Sequence, residues 1–189
     1  MKLKESVNLR RRNLLASSPF LLLGAASLQA SAFLPQTTPK GPDLPEDLSP
    51  EELKEVEGSI MSEDMKNFWH KEYSCAETGL IVALRFMKKP EDLVWTAAGF
   101  GGGLGHQDLC GFLTSGVMAL GLHAEDLKVE NNAAKMRCMQ MVNEFWTWWS
   151  AMAPLHCSEI REGHKDFNVC NRIGRLATAK IESLLKKTV

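Results

Sequence analysis

The chain predicts an all-α fold, a compact multi-helix bundle around a buried central helix at about 109–122. Three observations carry that expectation. Alternating strand patterns are missing and β-branched residues are sparse. Helix start and stop signals recur along the chain, with Pro90 and Pro154 as breaks. The stretch Leu109 to Leu122 is apolar almost all round, as a helix buried on every side should be.

The elements follow in order. Ser49-Pro50-Glu51-Glu52 places a capping serine, a first-turn proline and a glutamate at the third helical position, so folding should begin there with a helix over 50–58. Further helices are expected over 62–72, 75–88 and 91–99, on either side of Pro90. The central helix comes next, and Gly111, Ser115 and Gly116 would let its neighbours approach closely. A long helix over 126–153 carries Phe145, Trp146, Trp148 and Trp149 with Met136, Met139, Met141 and Met152. Those side chains suit core packing or a homodimer face. A last helix is expected over 168–187.

Upstream of 50 the composition changes twice. Arg10-Arg11-Arg12-Asn13-Leu14-Leu15 precedes an uncharged run and the small-x-small site Ala30-Ser31-Ala32, which reads as a twin-arginine signal over residues 1–32. That route carries folded proteins, often with a metal or redox group already inserted. It predicts a periplasmic mature chain beginning at Phe33, or a membrane-anchored one if the signal stays uncleaved. Residues 33–50 hold five of the eight prolines, so 33–49 reads as an extended tether and 50–189 as the domain. Loss of 1–32 removes five of 22 basic and one of 23 acidic residues, leaving a net charge of −5. An acidic chain of this kind argues against nucleic acid as a partner.

Five cysteines, at 75, 110, 138, 157 and 170, carry the chemistry. No C-x-x-C pair occurs, which removes zinc-ribbon and thioredoxin-type motifs, and no C-x-x-C-H occurs, which removes covalent haem. Placement is more informative than spacing. Cys75 is in register with Gly79, Val82 and Phe86, Cys110 with Leu113, Val117 and Leu120, and Cys170 with Ile173 and Ala177. Each falls near the start of a predicted helix, facing inward, where free N–H groups favour thiolate. Thiolates suit soft metals and iron–sulfur clusters. Cys157 follows Pro154 in a turn and would complete a set of four, while Cys138 lies mid-helix as core. Disulfide pairing or plain burial of the same cysteines is the competing reading.

Between Cys75 and Cys110 runs Gly99-Phe100-Gly101-Gly102-Gly103-Leu104-Gly105-His106, which is neither a dinucleotide fingerprint nor a P-loop. Its glycines, Gly101, Gly102 and Gly103 above all, would present backbone N–H groups to a bound group. His106 and His156 lie near cysteines in sequence and are secondary ligand candidates. No acid–base pair or nucleophile motif stands out, so an electron carrier or accessory redox protein is expected before an enzyme.

Together these residues resemble the C_GCAxxG_C_C family of redox-active proteins. Ser74-Cys75-Ala76 resembles its first cysteine segment, Ala97 to Gly103 its glycine run, and Cys110-Gly111-Phe112 through Leu122 its central helix, with Cys157 and Cys170 as the last two cysteines. The resemblance spans about 68–187. Phe112 stands where the family has Ala, and Ser115 where it has Gly. It implies an all-helical domain with a redox or metal role, and Cys75, Cys110, Cys157 and Cys170 as ligands of an iron–sulfur cluster, [2Fe–2S] by preference. Zinc, or disulfides without metal, are the alternatives. The corresponding functions are electron transfer to a redox protein or membrane redox complex, thiol–disulfide chemistry, or a disulfide-stapled helical binding module.

Overall fold

The structure is a computed structural model that describes residues 44–127 and 129–187. The twin-arginine signal and most of the proposed tether lie outside the described residues. The described part is helical throughout, with only two isolated backbone bridges between extended segments.

Helix α1 spans Pro50–Val56 and opens with the expected capping box: Glu52 N–H donates to Ser49 Oγ at 3.2 Å, and Ser49 N–H donates to the Glu52 carboxylate at 2.9 Å. Helix α2, Ile60–Phe68, is capped by Ser59. Helix α3, Cys75–Met87, has a second capping box formed by Ser74 and Glu77, and ends where Lys88 turns left-handed at φ 57° before Pro90. The segment Glu91–Phe100 is a 3₁₀ helix, tighter than the α-helix the sequence suggests there. Helix α4, Gly111–Asp126, is the central helix, starting two residues later and ending four later than expected. Helices α5, Asn131–Met152, α6, Cys157–Arg161, and α7, Asn168–Leu185, complete the chain. The short α6 replaces the turn expected around Cys157.

Helix α4 packs on α3, α5 and α7, and α7 also packs on α2 and α3. Small residues allow these approaches. A Cβ at Gly111 would collide with the Cys75 sulfur, and one at Gly116 would meet the Phe145 ring. Phe112, Leu113, Ala119 and Leu120 are buried, but Val117 and Gly121 are exposed, so α4 is not covered all round. The register that aligned Val117 with Cys110 on one inward stripe is corrected accordingly. On α5, Phe145 and Trp149 are fully buried, whereas Met136, Met139 and Trp146 face outward. Trp149 Nε1 donates to the Pro154 carbonyl at 3.0 Å and fixes the chain as it leaves α5.

The described end of the proline-rich stretch belongs to the fold. Leu44 joins the core, and Glu46 pairs with His164. Two carboxylates inside the bundle tie remote segments together. Glu52 pairs with Arg172, and Glu182 accepts from Ser59 Oγ and the Met61 N–H, both at 2.8 Å. Burial alone would raise both carboxyls; the Arg172 and Ser49 hydrogen bonds at Glu52, and the Lys186, Met61 and Ser59 bonds at Glu182, outweigh it and hold both below 4.5. A depressed folded value means stability present above the unfolded value and lost as pH falls through the folded one. The urea midpoint should therefore drop as pH is lowered below 4.5. Glu182→Gln should flatten that drop; an unchanged pH profile in the variant would remove Glu182 from the account.

Among the described residues no helix is long and apolar enough to cross a membrane.

Candidate four-cysteine site

Four of the five cysteines line one cavity of about 670 Å³: Cys75, Cys110, Cys157 and Cys170. Each comes from the start of a different helix. Cys75 is the first residue of α3, Cys110 caps α4, Cys157 is the first residue of α6, and Cys170 lies in the first turn of α7. Cys138 does not line the cavity and sits half-buried on α5. All five are free thiols.

Backbone hydrogen bonds set two of the cysteines relative to each other. Cys110 N–H donates to the Leu155 carbonyl at 2.9 Å, and Cys157 N–H donates to the Asp108 carbonyl at 2.7 Å. This short antiparallel clamp, with Leu109 bridged to His156, is held in turn by Gly103, whose carbonyl accepts from Asp108 N–H at 2.9 Å. Gly103 has φ +64°, and a Cβ there would lie 2.6 Å from Asp108 backbone atoms and 2.9 Å from Cys157 Cβ. Only glycine meets both conditions.

The glycine run thus acts mainly by close packing. Gly101 packs on Ser74, where a Cβ would come within 2.6 Å of the serine Cβ, and Gly103 packs on Cys157. Of the three glycines named for a bound group, Gly102 alone lines the cavity. The following turn is strained: Leu104 and Gln107 both have positive φ, at 58° and 59°. His70, also at φ 58°, completes a cluster of left-handed non-glycine residues around the site.

The expected thiolate character is reversed for the most enclosed sulfurs. Burial pushes the Cys110 thiol well above 9.0, and Cys75 and Cys170 add to the rise; the Phe112 and Leu113 N–H groups at the start of α4 oppose it without prevailing. Burial likewise lifts Cys170 to about 12, against the pull of Arg161. Cys157 is raised by burial and by Cys75, again with Arg161 opposing. The helix-start effect exists, but desolvation is larger. Cys75 acts on all three partners, so the four sulfurs share one electrostatic environment, whereas Cys138 is raised by burial alone. A soft metal binding here would have to displace protons, so its affinity would rise with pH.

Neither histidine singled out beside the cysteines reaches the cavity. His106 is exposed, and His156 pairs outward with Glu159 at 2.9 Å and Asp108 at 3.4 Å. The residues that do line it include Arg161, His70, Trp69, Phe112 and Phe167. His70 lies edge-on to Trp69 and tilted against Phe167, with centroids at 4.1 and 4.2 Å, and burial and Arg161 lower its pKa. Sequence reasoning missed Arg161. Its signal was the four-residue step from Cys157, which puts both on one helix face.

Among the described residues no three His, Cys, Asp or Glu side chains gather closely enough to hold one metal ion. A tetrahedral zinc with Zn–S near ~2.3 Å needs sulfurs about 3.8 Å apart, so a single ion fits this cavity poorly without rearrangement. The donor set itself, four sulfurs around one cavity, fits a multi-atom group that spans them.

The model of one protein family matches residues 73–184, described as "Putative redox-active protein (C_GCAxxG_C_C)". No curated protein and no solved structure matches the chain.

Proposed function

The chain belongs to the C_GCAxxG_C_C family, whose members are described as redox-active, and from that premise we propose that it is an exported redox protein holding an iron–sulfur cluster on Cys75, Cys110, Cys157 and Cys170. The observation that carries this reading is the convergence of those four cysteines, from four separate helix starts, on one cavity that excludes Cys138. A [2Fe–2S] centre is preferred over zinc because the cysteines ring a roomy cavity and are not gathered on one ion. Such a centre would supply reversible one-electron exchange.

The chain's own residues do the rest. Cys110 is buried and would take N–H hydrogen bonds from Phe112 and Leu113 on its sulfur. Trp69, Phe112 and Phe167 wall the cavity with aromatic surface and limit water. Cys75, Cys157 and Cys170 are only partly buried, which leaves a short path from sulfur to a docking partner. Electron transfer to a redox protein or a membrane redox complex suits that exposure, and the amino-terminal twin-arginine pattern suits folded export to the periplasm.

The test is iron and acid-labile sulfide content, with a visible spectrum, on protein purified anaerobically from a host with intact twin-arginine export. Equal iron and sulfide with sulfur-to-iron absorption is the expected result. Colourless, metal-free protein sinks the cluster. Partial exposure of three of the four thiols favours thiol–disulfide exchange as the second reading. A thiol count that drops by pairs on oxidation, without metal, would select it.

A further inference from the structure

Among the described residues, Arg161 is the one arginine or lysine that lines the cysteine cavity. Its position is fixed from two directions. The side chain leaves α6 one turn after Cys157, on the same face, and its guanidinium carbon stands 3.9 Å above the centre of the Phe167 ring. The guanidinium forms no ion pair and no hydrogen bond among the described residues. Glu159 and Asp108 both face His156, and Asp166 accepts from Asn168. An arginine without a carboxylate, pinned on an aromatic ring beside sulfur atoms, keeps its field directed at those atoms.

We propose that Arg161 is the fixed counter-charge of the cysteine cavity, a positioning residue that attracts negative charge to Cys157 and Cys170 and raises the reduction potential of the group they hold. Arg161 and both cysteines line the same cavity: Cys157 stands one turn before it on α6, and Cys170 lies three residues beyond the Phe167 ring that holds the guanidinium. A cluster held by four thiolates would concentrate negative charge, and its one-electron reduction by a protein donor would add one more without making or breaking a bond. A nearby guanidinium offsets that added charge and so favours the reduced state. The statement about potential rests on the iron–sulfur reading; the statement about charge stands without it.

The experiment uses two alkylating reagents of like reactivity and different charge, iodoacetate and iodoacetamide, on the reduced full chain, with each cysteine followed by mass spectrometry. The ratio of their rates cancels the thiolate fraction and reports the local field. In Arg161→Gln the iodoacetate-to-iodoacetamide ratio should fall about threefold or more at Cys157 and Cys170. It should stay unchanged at Cys138, which lies outside the cavity, and Arg161→Lys should restore most of it. In the unaltered protein, raising salt from about 0.02 M to about 0.5 M should lower the ratio at Cys157 and Cys170 more than at Cys138. This salt comparison needs no variant and decides the matter if Arg161→Gln disturbs the fold by circular dichroism. A ratio at Cys157 and Cys170 that ignores both substitution and salt overturns the proposal. In protein that carries iron, Arg161→Gln should shift the reduced-to-oxidised ratio at a fixed ambient potential about tenfold toward oxidised. If the protein never binds iron, the iron–sulfur reading fails and the alkylation ratios still decide the role of Arg161.

Discussion

Replacing Cys110 by Ser is expected to abolish the visible absorbance of the iron-loaded protein, while Cys138→Ser leaves it intact. The contrast follows from position. Cys110 is 8% exposed, caps α4, and presents its sulfur to the Phe112 and Leu113 N–H groups and to Cys75 and Cys170. Serine keeps the shape and capping capacity, so the helix should persist in the far-ultraviolet spectrum. Its harder, shorter oxygen is a poor substitute for thiolate toward iron. Cys138 shares a helix face with the core and touches none of this. Absorbance that survives Cys110→Ser in full would show that the four cysteines are not the ligands.

The second large effect is on stability. Phe112→Ala should lower the unfolding free energy by about 3–5 kcal/mol, read as a lower urea midpoint at unchanged slope. The ring is 1% exposed, lies 5.1 Å from Trp69, and fills a space that Gly174 leaves for it. A Cβ at Gly174 would stand 2.5 Å from Phe112 Cζ, and one at Gly79 would stand 3.4 Å from Phe112 Cδ1. Gly174→Ala alone should therefore destabilise, although alanine is the better helix former. In the Phe112→Ala background the same change should cost clearly less, because the ring is gone and only the flexible Met65 side chain, with its sulfur 2.9 Å from the new methyl, has to shift. Strict additivity of the two changes would mean that ring and glycine are not matched. Phe112 also walls the cysteine cavity, so the variant enlarges the site as it weakens the core.

What could be read from the sequence was whatever is local. Ser49 and Glu52 announce α1 within four residues, Pro90 stops α3, and the inward registers of Cys75 and Cys170 follow from helical periodicity. The family's cysteine and glycine pattern brought the four cysteines together before any coordinates did. What could not be read depends on contacts between distant segments. Phe112 looks like a mere departure in sequence, and only Gly174, on another helix, explains it. Leu44 sits among prolines, yet the core reaches out to cover it. The left-handed turns at Leu104 and Gln107 run against residue preference and flank the segment where Gly103 packs on Cys157. The acidity of Cys110 was misjudged because burial, a tertiary quantity, outweighs the helix start, a local one.

The clamp between Asp108–Cys110 and Leu155–Cys157 also ties the site to the finished fold. Its two strands of backbone are separated in the chain by the whole of α4 and α5. Neither Cys110 nor Cys157 has its neighbour until both helices have formed, paired and brought the chain back. Cys170 lies further along the chain again, on α7. A group held by all four cysteines therefore enters a nearly finished fold, and the chain cannot be threaded through a narrow pore afterwards without giving that group up.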